Sequence, residues 1–73
     1  MMFKFRINLL PTKTHKIREV HVETCSMYHE LTHFEELGEF VFCSTAVQKA
    51  RNMGFENVYG CQICSKPCGK EGI

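Results

Sequence analysis

Apolar and polar residues alternate at the start of the chain: Phe3, Phe5, Ile7 and Leu9 are separated by Lys4, Arg6 and Asn8. A two-residue period belongs to a half-buried strand. Pro11 removes a backbone donor and, with the polar residues to His15, ends it. Val20, Val22 and Thr24 then alternate with Glu19, His21 and Glu23, so a second strand and an antiparallel hairpin follow. Lys4 and Arg6 would then face Glu19 and Glu23 across the hairpin. Ile17 is out of phase with Val20, which predicts a bulge or a late strand start near Arg18.

The period then changes. Met27, Leu31 and Phe34 share one helical stripe with Leu37 at its edge, which predicts a helix over 27–37, capped by Ser26 and stopped by Gly38. Glu39 to Cys43 is an apolar, strand-forming run that reads as an inner strand. Thr45 and Gln48 have capping-box spacing, and Ala46, Val47, Ala50 and Met53 lie along one face of the helix they open. Gly54 supplies its left-handed stop, with Phe55 placed for the hydrophobic contact beyond. Asn57 to Cys61 reads as the last strand. The expected fold is α+β, a single small ββαβαβ domain over residues 1–73, with a cysteine-rich C-terminal segment from 60 to 73. If the last two strands are neighbours, the helix between them makes a parallel right-handed crossover.

Size sharpens this picture. A chain of 73 residues lies near the length where a hydrophobic core alone gives marginal stability. No apolar run approaches a membrane span, and the charged N-terminal alternation reads as a strand, not as a signal peptide. Five cysteines are many for this length. An odd number without a signal peptide argues against a secreted disulfide framework, and in a reducing cytoplasm clustered cysteines are metal ligands or free thiols more often than bridges.

Cys61, Cys64 and Cys68 form a C-x2-C-x3-C array bordered by Gly60, Pro67 and Gly69. Thiolates at such spacing share one zinc from a single knuckle, and zinc takes four tetrahedral ligands. Cys43, at the end of a strand expected beside the last one, is the first choice for the fourth. Cys25, His29 and His33 are the reserves. The expected metal site is therefore Cys43, Cys61, Cys64 and Cys68, holding zinc.

The stretch His29-Glu30-Leu31-Thr32-His33 fits the H-E-x-x-H pattern and resembles the zinc helix of thermolysin-like metallopeptidases. The resemblance implies His29 and His33 as ligands, Glu30 as general base, and Glu36 or Glu56 as third ligand. On a continuous helix the two histidines lie opposite the apolar stripe and point to solvent, whereas a hydrolase needs a walled cleft. Val41-Phe42-Cys43, followed by Ala50-Arg51 and Gly54-Phe55-Glu56-Asn57-Val58, resembles the end of a rhodanese domain, which implies sulfur transfer at Cys43. Here the helix start occupies the residues that would form the anion-binding loop.

Net charge is +1, but the basic residues up to Arg18 precede an acidic stretch from Glu19 to Glu39. Interleaved Phe3, Lys4, Phe5 and Arg6 could suit single-stranded nucleic acid. The aromatics alternate away from the cations, and the pI of about 7.7 is far from a strongly basic footprint. The reading that follows is a small cytoplasmic, non-enzymatic module, zinc-stabilised and of regulator or inhibitor type. It would bind a partner protein through its acidic segment and sheet edge. A nucleic-acid-binding zinc protein and a minimal metallopeptidase are the alternatives.

Overall fold

The computed structural model describes residues 1–70. In chain order it contains β1 (Phe3–Asn8), β2 (Arg18–Val22), α1 (Ser26–Glu30), β3 (Phe34–Phe40), α2 (Cys43–Asn52), β4 (Val58–Gly60) and a 3-10 turn (Lys66–Cys68). This is the ββαβαβ order of an α+β fold, with one mixed sheet ordered β3-β1-β2-β4. No helix among the described residues is long and apolar enough to cross a membrane.

The hairpin forms as the alternation requires, with Phe5 opposite Val22, Arg6 opposite His21 and Ile7 opposite Val20. Phe5, Ile7, Val20 and Val22 therefore share one face, and Ala46, Val47 and Ala50 of α2 join them in the core. Burial of such a side chain contributes about 1.5–3 kcal/mol, so this cluster is the main source of cohesion. Lys16 takes a left-handed φ of 58°, which re-aims the chain just before β2 begins at Arg18. Gly54, at φ 101°, ends α2 as expected, and the Phe55 amide returns to the Ala50 carbonyl at 3.3 Å.

The middle of the chain departs from the helical reading of 27–37. α1 stops at Glu30, because Leu31 is already extended at ψ 131° and no side chain caps the first turn. Residues Phe34–Phe40 instead form an edge strand antiparallel to β1. A helix of that length without a cap is marginal alone, while β1 offers a full ladder and an aromatic contact between Phe5 and Phe40, 6.3 Å between ring centroids. Pairing with β1 overrides the stripe. Gly38 breaks no helix. It takes φ 110° where the register shifts between Phe5–Gly38 and Arg6–Glu36, leaving Leu37 as the extra residue of a bulge.

Two consequences follow for side-chain pairing and topology. Acids on β3 meet the basic residues of β1: Arg6 Nε donates to Glu36 Oε1 at 2.8 Å, and Lys4 stands opposite Glu39. Of the acids expected there, Glu23 accepts from the Lys4 backbone amide, and Glu19 stands opposite Tyr59 of β4, with its Oε1 3.9 Å from His21 Nε2. The last two strands are not neighbours. β3 and β4 occupy opposite edges, and β4 pairs in parallel with β2.

Candidate metal centre

β2 is an inner strand, paired with β1 and β4, and its last three side chains, Val20, His21 and Val22, are buried although they alternate between the two faces of the sheet. His21 lies between the core residues Val20 and Val22 and points to the opposite face, yet it is fully buried. Its Nδ1 is 3.9 Å from Cys64 Sγ. Its Nε2 is buried without a hydrogen-bond partner among the described residues, 3.9 Å from Glu19 Oε1. Burial holds the imidazole below its ordinary pKa, in the neutral form that offers a lone pair. Glu19 is itself partly buried, which raises its carboxyl above the ordinary range.

The chain turns directly after β2. The Cys25 amide donates to the Val22 carbonyl at 2.9 Å, which brings Cys25, the residue before α1, back over the end of the strand. Cys61 arrives from the other side: its amide donates to the Val20 carbonyl at 2.9 Å and extends the β2–β4 pairing by one bond. A tight turn follows, closed by the Ser65 amide on the Cys61 carbonyl at 2.9 Å, and it carries Cys64 inward. The Ile63 amide points at Cys61 Sγ at 3.4 Å, as amides of a cysteine knuckle do towards a thiolate. Gly60 makes the turn possible. A Cβ there would lie 2.5 Å from the Ser65 carbonyl oxygen and 2.7 Å from Cys68 Cβ.

The result is a convergent set. The donor atoms of His21, Cys25, Cys61 and Cys64 lie within 4.8 Å of one another, and these residues could hold a metal ion. Tetrahedral ligands at Zn–S of about 2.3 Å lie roughly 3.8 Å apart, so the cluster is within an ångström of that spacing. The electrostatics fit the same chemistry. Burial, reinforced by the nearby Cys25 and Cys61 thiols, pushes the Cys64 thiol up to about 12, despite partly offsetting hydrogen bonds to Val22 and Ser65. A thiol this reluctant to ionise is a poor free nucleophile, whereas a dication at the same point deprotonates it outright.

The ligands expected from the sequence are divided. Cys61 and Cys64 belong to the cluster, and Cys25, a reserve, joins them. Cys43 and Cys68 do not: they are bonded to each other as a disulfide, with Cα atoms 6.2 Å apart. Cys43 opens α2 instead of ending a strand beside β4, and β3 and β4 lie on opposite edges, so no neighbouring strand carries it to the knuckle. The preference for metal ligands or free thiols over bridges is corrected at this pair. The same bond occupies the thiol on which the rhodanese resemblance rested.

The H-E-x-x-H stretch does not form the continuous helix its geometry needs. His29 is in the last turn of α1 and its Nε2 is 2.8 Å from the Glu23 carbonyl oxygen, while His33 lies beyond the helix beside Thr32 Oγ1 at 3.1 Å. Glu36 is paired with Arg6, and Glu56 is exposed in the loop before β4. The residue that sequence reasoning missed is His21. Its signal was a second ligand pair, His21-x3-Cys25, separated by 35 residues from Cys61-x2-Cys64. Strand alternation accounted for the histidine and hid the pair.

Comparison of the chain with family models, with curated proteins and with solved structures returns no match.

Proposed function

We propose that this chain is a zinc-stabilised, non-enzymatic binding module that recognises a partner protein. The observation that carries this reading is the donor set itself. Three cysteines and one histidine, with donor atoms within 4.8 Å of one another, would fill all four positions of a tetrahedral shell and leave none for water or substrate, the pattern of a structural zinc. Catalytic zinc sites keep a fourth position open.

The surface supports recognition of a protein. β3 is an edge strand with Glu35 and Glu39 exposed, and the chain leaving it presents Val41 and Phe42 to solvent, 48% and 67% exposed. They rim an apolar groove of about 290 Å³ floored by Phe3, Phe5 and Val22. Acidic side chains on an open edge oppose pairing with a second copy and favour a basic partner segment. Nucleic acid is the weaker reading, because Arg6 is committed to Glu36 and stacked on Tyr28 and Phe34.

The test combines native mass spectrometry with site-specific photo-crosslinking in the producing cell. One zinc per chain is expected. A crosslinker at position 42 should give a discrete protein adduct, and one at position 49, on the exposed face of α2, should not. Identical adducts from both positions, nucleic acid as the adduct, or zinc-dependent peptide hydrolysis by the protein would overturn the reading.

A further inference from the structure

His21 is the one cluster ligand with two donor atoms, and its surroundings discriminate between them. Nδ1 faces the sulfurs, 3.9 Å from Cys64 Sγ. Nε2, on the far edge of the ring, is fully buried and has no hydrogen-bond partner among the described residues. A neutral imidazole carries one N–H and one lone pair. If the lone pair on Nδ1 is the metal donor, the proton must sit on Nε2, where a buried N–H requires an acceptor.

The strand supplies one. Residues two apart on a strand project from the same face, so Glu19 stands beside His21 on β2. Its Oε1 is 3.9 Å from Nε2, too long for a hydrogen bond as it stands. The Glu19 side chain is 21% exposed and so not enclosed on every side, and an approach of about an ångström would make the bond. Metal-bound histidines commonly donate their second nitrogen to a carboxylate, which fixes the tautomer and strengthens the ligand.

We infer that His21 binds the metal through Nδ1 and that Glu19 is the positioning residue that accepts its Nε2–H. The inference rests on the metal-centre reading and adds an outer partner to it. Glu19 touches no metal. It sets which nitrogen is free to do so, and a carboxylate on the imidazole N–H makes the opposite nitrogen a better donor.

The experiment uses the full chain loaded with zinc, and with cadmium-113 for spectroscopy. Metal affinity is measured by competition with a chromophoric chelator for the wild type, Glu19→Gln and Glu19→Ala. Long-range proton–nitrogen correlation on the cadmium form identifies the ring nitrogen that bears the proton. The expected result is Nε2 protonated and Nδ1 on the metal. Glu19→Ala should bind about 10- to 100-fold more weakly, and Glu19→Gln should lose less, since its amide oxygen still accepts the proton. The metal-free protein should melt no lower in either variant.

Metal on Nε2, or wild-type affinity in Glu19→Ala, overturns the role of Glu19 and leaves the metal centre intact. A Glu19→Ala variant whose metal-free form is destabilised in proportion to its lost affinity also overturns it, because the residue would then be structural only. No metal uptake by the wild type removes both readings together.

Discussion

Cys64 Sγ lies 3.9 Å from His21 Nδ1, although 43 residues of chain separate them. The contact joins the middle of the sheet to the C-terminal turn, and the remaining cluster members sit at the ends of the same two segments. Removing any one of the four donors should therefore release the metal. Cys43→Ser and Cys68→Ser should keep it, because those sulfurs are bonded to each other outside the cluster. Native mass spectrometry of Cys25→Ser and Cys43→Ser decides the point: loss of zinc in the first and retention in the second is expected. The opposite pattern would restore the Cys43 ligand set.

Chelation should loosen the molecule unevenly. The segment from Cys61 to Gly69 contains only short turns, and its inward anchors are the cluster and the bond from Cys68 to Cys43. Sheet residues such as Ile7 and Val20 are held by the apolar core instead. Hydrogen exchange after chelation should therefore rise first in the turn Cys61–Ser65 and at the start of α1, with β1 and β2 protected longest. Uniform acceleration would mean that the core depends on the metal as a whole.

The disulfide from Cys43 to Cys68 closes a loop across a sequence separation of 25 residues. Loop-entropy arguments put its contribution at about 3–4 kcal/mol, before any offset from structure left in the unfolded chain. For a domain this small, that is a large share of total stability. A reductant should lower the melting temperature of the wild type and leave Cys43→Ser, already lowered, unchanged. Equal melting of oxidised and reduced wild type would show that the bond contributes nothing.

Gly60 is packed so closely that an added methyl would meet the Ser65 carbonyl oxygen at 2.5 Å. Backbone cannot yield as a flexible side chain does, so Gly60→Ala should displace the knuckle turn. A destabilisation of about 1–3 kcal/mol is expected from overpacking, together with weaker metal binding. Gly54→Ala is the control: among the described residues nothing lies within 4 Å of its would-be Cβ, and only the left-handed φ of 101° is strained. That variant should lose stability with little change in metal affinity.

Arg6 is half-buried on the face of the hairpin that it shares with His21, its register partner. Its guanidinium lies 4.1 Å from the Tyr28 ring centroid and 4.0 Å from that of Phe34, and it pairs with Glu36. Arg6→Ala should cost about 1–2 kcal/mol in urea denaturation, most of it from the two stacks. Glu36→Ala should cost less than about 1 kcal/mol, since the carboxylate is exposed and its pairing is screened. A larger loss from Glu36→Ala than from Arg6→Ala would refute that order.

Local patterns determined much of this protein by themselves. Alternation placed β1 and β2, the phase of Ile17 placed the late start of β2, and Gly54 placed the end of α2, because each depends only on neighbours along the chain. The Cys61-x2-Cys64 half of the candidate centre was legible for the same reason. What residues 34–40 became was decided by tertiary structure: their helical stripe is real in sequence, but an edge of β1 offered a ladder that a short uncapped helix could not match. The partners of the knuckle were decided there too. Parallel pairing of β4 with β2 sets Cys61 beside His21 and Cys25, while α2 carries Cys43 to Cys68. Ligand spacing within one turn is a local property. Which distant turn closes on it depends on strand order, and strand order is fixed only when the sheet assembles.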